Sequence, residues 1–272
     1  METITEFERI AAAHWRGTEE EWLGGWLLRA AEGFTGRANS GLPLGDPGLP
    51  LDEALEALTR WYRARGLPPM IAVPLPLEDG PPDWSALGAL DDQLTRRGWL
   101  TRPGPAFVMV ADPVPAVPAA GQPAGAPPAT LPPGAGFRAD PVPDEAWLAA
   151  YHYRGQDGQP PVMRTVLTSA ADQVFLSVRD GAAVLAIARL SFAAGWAGIT
   201  AVEVAPQYRR AGLGGALTRE AFAQAAARGI HRVFLQVEVT NAPARALYER
   251  GGFRYSHRYH YRIAPQEPPV PG

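Results

Sequence analysis

The sequence predicts a mixed α+β (α/β mixed) protein built from two units, and three observations carry that prediction. Segments of helical period alternate with short apolar runs along most of the 272 residues. A charge-free stretch over 113–133 holds eight prolines and divides the chain. The order helix, Gly, apolar strand, helix, Gly, final strand occurs after Leu51 and again after Leu213. The repeat is one of order with weak residue identity, so duplication competes with a chance recurrence of common elements.

In the first part, Ile4–His14 has helical spacing at Ile4, Phe7, Ile10 and Ala11. Trp22–Ala31 is apolar and runs to Gly33, which predicts one strand entering a turn. Leu51, Leu55, Leu58 and Tyr62 put one apolar face on a helix over Leu51–Arg65, stopped by Gly66. Met70–Leu75 reads as a buried strand, Ser85–Arg97 as a helix ended by Gly98, and Phe107–Ala111 as a strand.

The second part opens with a helix over Asp144–Tyr153. Val174–Val178 and Ala183–Leu190 form a hairpin about Asp180-Gly181, because Asp-Gly supplies the positive φ angles of a tight turn. A strand Gly198–Val204, a helix Leu213–Ala227 stopped by Gly229 and a strand Arg232–Val239 follow. A helix Ala242–Arg250 and a closing strand Arg254–Ile263 complete it. The expected boundaries are a domain at 1–111, a Pro/Ala/Gly-rich linker at 112–135, a domain at 136–263 and a disordered tail at 264–272.

Composition excludes several chemistries. There is no Cys, so disulfides, thiolate catalysis and Cys-ligated metals are out. All 25 basic residues are Arg, which removes Lys as base, Schiff-base former or phosphate ligand. No metal-ligand spacing occurs. No apolar run approaches the roughly 18 residues of a membrane span. The acidic start Met1-Glu2-Thr3-Ile4-Thr5-Glu6 does not resemble a secretory signal, so the cytoplasm is expected. The net charge of −3 hides an asymmetry, since residues 200–263 carry 10 Arg and 4 acids. That local field suits a polyanionic ligand. Nucleic acid fits the sign, but no basic helix or aromatic-interleaved run supports it. Composition is silent on oligomeric state.

The most informative stretch is Val204-Ala205-Pro206-Gln207-Tyr208-Arg209-Arg210-Ala211-Gly212-Leu213-Gly214-Gly215-Ala216, between an expected strand and an expected helix. Its glycines admit close backbone approach, and a helix start offers unpaired N–H groups to an anion. A tight connection with basic residues on its surface is the alternative. Downstream stands Asn241-Ala242-Pro243-Ala244-Arg245-Ala246-Leu247-Tyr248-Glu249-Arg250-Gly251-Gly252-Phe253. The first stretch matches Val-x-Pro-x-x-Arg-x-x-Gly-x-Gly and the second Asn-x-x-Ala-x-x-Leu-Tyr-x-x-x-Gly-Phe.

Together these stretches resemble the GNAT (Gcn5-related) family of acyl-CoA-dependent N-acetyltransferases, over about 140–263. The resemblance implies two GNAT-like units, each a mixed, mostly antiparallel sheet flanked by helices, with the C-terminal unit complete. It implies acetyl-CoA as co-substrate, no metal, and a primary amine of a small molecule as acceptor. Arg209, Arg210, Ala211, Gly212, Leu213, Gly214, Gly215 and Ala216 would hold the diphosphate of coenzyme A. Val202 and Val204 would line the pantetheine arm, with the Val204 backbone pairing to it. Asn241 would bond the arm or simply cap the helix, and Ala244 would stand beside it. Tyr248 would protonate the departing thiolate; the competing role is a core aromatic. Glu203 is the candidate general base, sharing a face by alternation with Ala201 and Ala205; the competing role is an acid satisfied by a neighbouring Arg. His152, His231, His257 and His260 have no supporting motif, and one face of the last strand is expected to be wet.

Residues 26–40 resemble a segment ahead of the acyltransferase domain in tandem members of the family, where it belongs to a degenerate copy of the fold. Some actinobacterial tandem members are assigned as glutamate N-acetyltransferases. This half lacks the Arg-x-x-Gly-x-Gly loop, so one cofactor site is expected. Arg37, Asn39 and Ser40 are candidate substrate contacts, with Arg37 pairing a carboxylate. A polar turn satisfying its own backbone is the alternative. A protein N-terminal or lysine acetyltransferase and a non-catalytic acyl-CoA-binding module are the competing functions.

Overall fold

The computed structural model describes residues 3–77, 85–112, 114, 131–152 and 159–265. The elements run α1 (Ile4–Ala12), β1 (Glu19–Leu23), β2 (Trp26–Ala30), β3 (Leu42–Pro43), α2 (Leu51–Arg63), β4 (Met70–Leu75), α3 (Ser85–Arg96) and β5 (Leu100–Ala111). They continue with β6 (Ala135–Asp140), α4 (Glu145–Ala149), α5 (Val162–Leu167), β7 (Asp172–Asp180), β8 (Ala183–Ala193) and β9 (Trp196–Val204). Then come α6 (Leu213–Ala226), β10 (Val233–Glu238), α7 (Ala242–Arg250) and β11 (Arg254–Ile263). The mixed α+β character is as expected, and most of the strand pairing is antiparallel.

Two compact units emerge, and they do not follow the linear boundaries. The first contains 1–107, 160–169 and 256–272; the second contains 108–159 and 170–255. The closing strand falls in the first unit because β11 pairs antiparallel with β4, from Arg258–Leu75 to Ile263–Met70. Most of the linker and the end of the tail lie outside the described residues.

In the first unit, the segment expected as one strand over Trp22–Ala31 is a hairpin. β1 and β2 pair antiparallel from Glu19–Ala30 to Leu23–Trp26, and β3 adds to β2. Gly24-Gly25 makes the turn, with Gly24 at φ +54. The helical face foreseen on α2 is buried: Leu55, Leu58 and Tyr62 pack with Trp26, Leu28, Ile71 and Trp99. Beyond exposed Arg254, every residue of β11 is buried or half-buried, so the expected wet face is not found. His257 is fully buried and pairs with Glu8 at 2.7 Å, while Arg262 and His260 both hold Asp91. Polar groups on that strand are buried with carboxylate partners, Arg262 with Asp91 as an ion pair, which a count of polar residues does not reveal.

In the second unit the strand order is β10-β9-β8-β7-β6, with β10 parallel to β9. The hairpin of β7 and β8 is as expected, with Asp180 opposite Ala183 and Gly181 at φ +56. The helix foreseen at Asp144–Tyr153 is shorter; Asp144 caps it by accepting from Trp147 N at 2.8 Å. Trp147 is buried edge-on against Phe175 at 5.0 Å, and its Nε1 donates to Leu176 O. β6 and the short α5, in the other unit, were not foreseen.

Candidate active site

β9 and β10 part early. Their ladder runs Val233–Ala197, Phe234–Gly198 and Leu235–Ile199, and ends there. On its other side β9 stays with β8, but the register shifts: Arg189 lies opposite Thr200 and Ile187 opposite Glu203. Ala201 and Val202 therefore face one residue of β8, a β-bulge, with Ala201 at φ +52. A left-handed alanine costs roughly 1–2 kcal/mol, so the surrounding ladder enforces it. The bulge breaks alternation. Glu203 shares its face with Thr200, and the expected sharing with Ala201 does not hold.

Past the bulge, Ala205 N donates to Leu185 O at 2.9 Å. Strand backbone groups alternate in direction, so the N–H and C=O of Val204 point away from β8 into the opening. Arg209 Nε donates to that Val204 carbonyl at 3.3 Å. Val202 and Val204 are both half-buried at the same edge.

Beyond a short 3₁₀ turn at Pro206–Tyr208, the chain enters α6 through Arg210 at φ +63 and Gly212 at φ +81. Gly212 caps the helix without a side chain, and the first closing bond is Ala216 N to Gly212 O at 3.0 Å. The N–H groups of Leu213, Gly214 and Gly215 precede that bond and have no intrahelical acceptor. They sit at the positive end of the helix dipole, with exposed Arg209, Arg210 and Ala211 alongside. A Cβ on Gly214 would stand 2.8 Å from Leu247 Cδ2, so this glycine also lets α7 approach α6.

Asn241 starts α7 as its cap, its Oδ1 accepting from Ala244 N at 3.2 Å. Arg245 ties the turn before the helix by donating to Val239 O at 2.6 Å. Tyr248 is buried, 5.8 Å from the Phe253 ring, which in turn stacks on Phe222 at 5.5 Å. Its ring is therefore packed in the core. Burial, with Glu203's charge adding, pushes the Tyr248 hydroxyl up to about 12. Burial also raises the Glu203 carboxyl above its usual range, against the pull of His152 and Arg209.

A cavity of about 430 Å³ opens at this end of the sheet, lined among others by Ala150, His152, Ala186, Glu203, Val204 and Arg209. His152 carried no motif in the sequence, and only its position after the first helix of this unit could have flagged it.

The first unit places its candidates differently. Asn39 Oδ1 accepts from Ala31 N and Gly33 N, and its Nδ2 donates to Phe34 O and Thr35 O, all within 2.9 Å. That leaves Asn39 no hydrogen-bonding capacity for a ligand. Ser40 is buried and accepts from the buried Arg29, on both Oγ and carbonyl, at 3.1 Å. Arg37 lies over the Trp15 ring at 4.7 Å. Among the described residues no group of three or more His, Asp or Glu could hold a metal ion, and no helix is long and apolar enough to cross a membrane.

Fold and site together define a GNAT-type N-acyltransferase. The chain belongs to the family described as "Probable histone acetyltransferase Rv0428c C-terminal", whose model matches residues 2–262. It is 30% identical over 260 residues to the probable histone acetyltransferase Rv0428c of Mycobacterium tuberculosis, covering 95% of this chain and 73% of that protein. It is 25% identical over 268 residues to the uncharacterized N-acetyltransferase YobR of Bacillus subtilis, covering 97% and 99%. A solved GCN5-related N-acetyltransferase from Kribbella flavida shares the fold with a TM-score of 0.59 at 19% identity, covering 92% of this chain and 91% of that one.

Proposed function

We propose that the chain transfers the acetyl group of acetyl-CoA to the primary amine of a small molecule. The observation that carries this reading is the parting of β9 from β10 after Ile199 and Leu235, with Val204's backbone groups facing the gap. Leu213, Gly214 and Gly215 offer main-chain N–H groups to a diphosphate, and Arg209 and Arg210 add charge. Gly212 and Ala211 shape the approach, and Ala216 closes the first turn. Val202 and Val204 flank the arm, and Asn241 and Ala244 begin the helix it would pass. When bound, the co-substrate supplies the activated acyl carbonyl. Tyr248 protonates the leaving sulfur, a task its high proton affinity suits, and Glu203 receives a proton from the attacking amine.

The first unit reads as a degenerate copy. Its α2-β4-α3-β5 order repeats as α6-β10-α7-β11, and Leu44-Gly45-Asp46-Pro47-Gly48 stands where an Arg-rich glycine loop would be. An aspartate there disfavours a diphosphate.

A cavity of about 430 Å³ with one carboxylate, one imidazole and one guanidinium among apolar walls suits a small amine. Arg209 in that wall makes an amino acid with an extra carboxylate, such as glutamate, the first to test. A protein lysine is the second reading, favoured by what the M. tuberculosis relative is named for. Thiol release from acetyl-CoA separates them, with free amino acids in one arm and a lysine-bearing peptide in the other. Turnover confined to free amines supports the small-molecule reading, and turnover confined to the peptide selects the other. CoA binding with no turnover in either arm overturns catalysis in favour of a binding module.

A further inference from the structure

This inference rests on the acetyl-transfer reading and adds a residue to it. We propose that His152 is a second proton acceptor of the site, taking the first proton from the incoming ammonium group before Glu203 takes the next.

An amine enters near neutral pH as an ammonium ion and ends as an amide, so it gives up two protons. One carboxylate can hold only one of them. His152 and Glu203 line the same cavity, and the charge of one is felt by the other. Among the described residues Arg209 is the remaining charged group of that wall. His152 Nδ1 lies 3.2 Å from Ala150 O. A carbonyl only accepts, so the neutral ring carries its hydrogen on Nδ1 and keeps the lone pair on Nε2. The segment is anchored upstream: Asp144 caps α4 and pairs with Arg179 at 2.8 Å, and Trp147 and Tyr151 are buried beside each other. An imidazole with a free Nε2 lone pair can accept a proton from an ammonium group. His152 is exposed and can return its proton to water, whereas half-buried Glu203 cannot do so as directly.

The bookkeeping of atoms closes. His152 Nε2 takes the first ammonium proton and the amine nitrogen keeps its lone pair for attack. The C–N bond forms, Glu203 takes the second proton, and the C–S bond breaks as Tyr248 protonates the sulfur. Tyr248 recovers its proton from Glu203, and His152 releases its own to solvent.

The test uses the full chain, acetyl-CoA and the best acceptor among L-glutamate, spermidine and a lysine-bearing peptide. kcat/KM is followed from pH 6 to 9 in wild type, His152→Gln and Glu203→Gln. The expected result for His152→Gln is unchanged melting temperature and CoA affinity, at least a tenfold loss at pH 7, and recovery toward pH 9 as the amine deprotonates unaided. Added imidazole should rescue His152→Ala. Independently of turnover, ¹⁵N NMR of the ring should show the Nδ1–H tautomer. An unchanged pH profile in His152→Gln, or an Nε2–H tautomer, overturns the proposal while acetyl transfer stands. Absence of turnover in wild type with every acceptor overturns both.

Discussion

Ile199 pairs with Leu235, and the strands that carry them separate immediately afterwards. The separation coincides with the bulge at Ala201 and Val202, which keeps β9 attached to β8 while re-aiming its last residues. One strand thus serves two tasks: its first half pairs on both sides, and its second half stays with β8 while turning the Val204 backbone edge away from it, where Arg209 bonds the carbonyl. Glu203 lies in that second half, within electrostatic reach of Tyr248.

Tyr248→Phe keeps the ring against Phe253 and removes only the hydroxyl. Turnover should fall by about 10²–10⁴, the range for loss of a general acid. CoA affinity by calorimetry and the melting temperature should stay near wild type. Equal turnover in the variant would confine Tyr248 to packing.

Glu203→Gln separates chemistry from stability. The carboxyl is raised in the folded state, chiefly by burial. Protonation therefore favours the fold, and stability is lost as pH rises from the usual Glu value through the raised one. At neutral pH the carboxamide should melt no lower than wild type, with the difference vanishing below about pH 4. Activity should drop at least tenfold and its acid limb should change. A variant that melts lower with activity intact would make Glu203 structural.

Asn39→Ala tests whether the polar turn of the first unit serves the fold. Four close bonds to buried or half-buried backbone would be lost, costing about 2 kcal/mol or more. Thermal melts should show the loss while KM for any acceptor is unchanged. A raised KM with an unchanged melt would return Asn39 to the substrate.

Asp144→Ala should lower stability by about 1 kcal/mol at neutral pH through the lost cap. Asp144 is held down to about 2, first by the hydrogen bond from Arg179, against burial and with help from Trp147 N–H. A depressed carboxyl contributes fully above its unfolded value of about 4 and loses that contribution as pH falls toward 2. Melts of wild type and variant should therefore draw together as pH falls from about 4 toward 2.

What the sequence made legible followed from local chemistry. Asn241 and Gly251 bracket α7, and its range and that of β11 match the expectation residue for residue. The glycine-rich turn before α6 was readable because its backbone demands glycine at Gly212. The bulge was not readable: alanine has no preference for the φ that Ala201 adopts, and the ladder imposes it. The turn between β1 and β2 was missed because the flanking apolar residues run on continuously either side of Gly24-Gly25. His152 was missed because its meaning comes from a cavity whose walls, Ala150 apart, are more than thirty residues away. The pairing of β11 with β4 joins residues far apart in the chain, and no local signal encodes it.

Titration calorimetry of acetyl-CoA into wild type and Gly212→Val tests the central claim most directly. A β-branched residue disfavours the left-handed cap and crowds the N–H groups of Leu213, Gly214 and Gly215. Saturable binding to one site in wild type, weakened at least tenfold in a variant whose circular dichroism is unchanged, is the predicted result. Absence of heat in wild type, or equal affinity in both proteins, would contradict it.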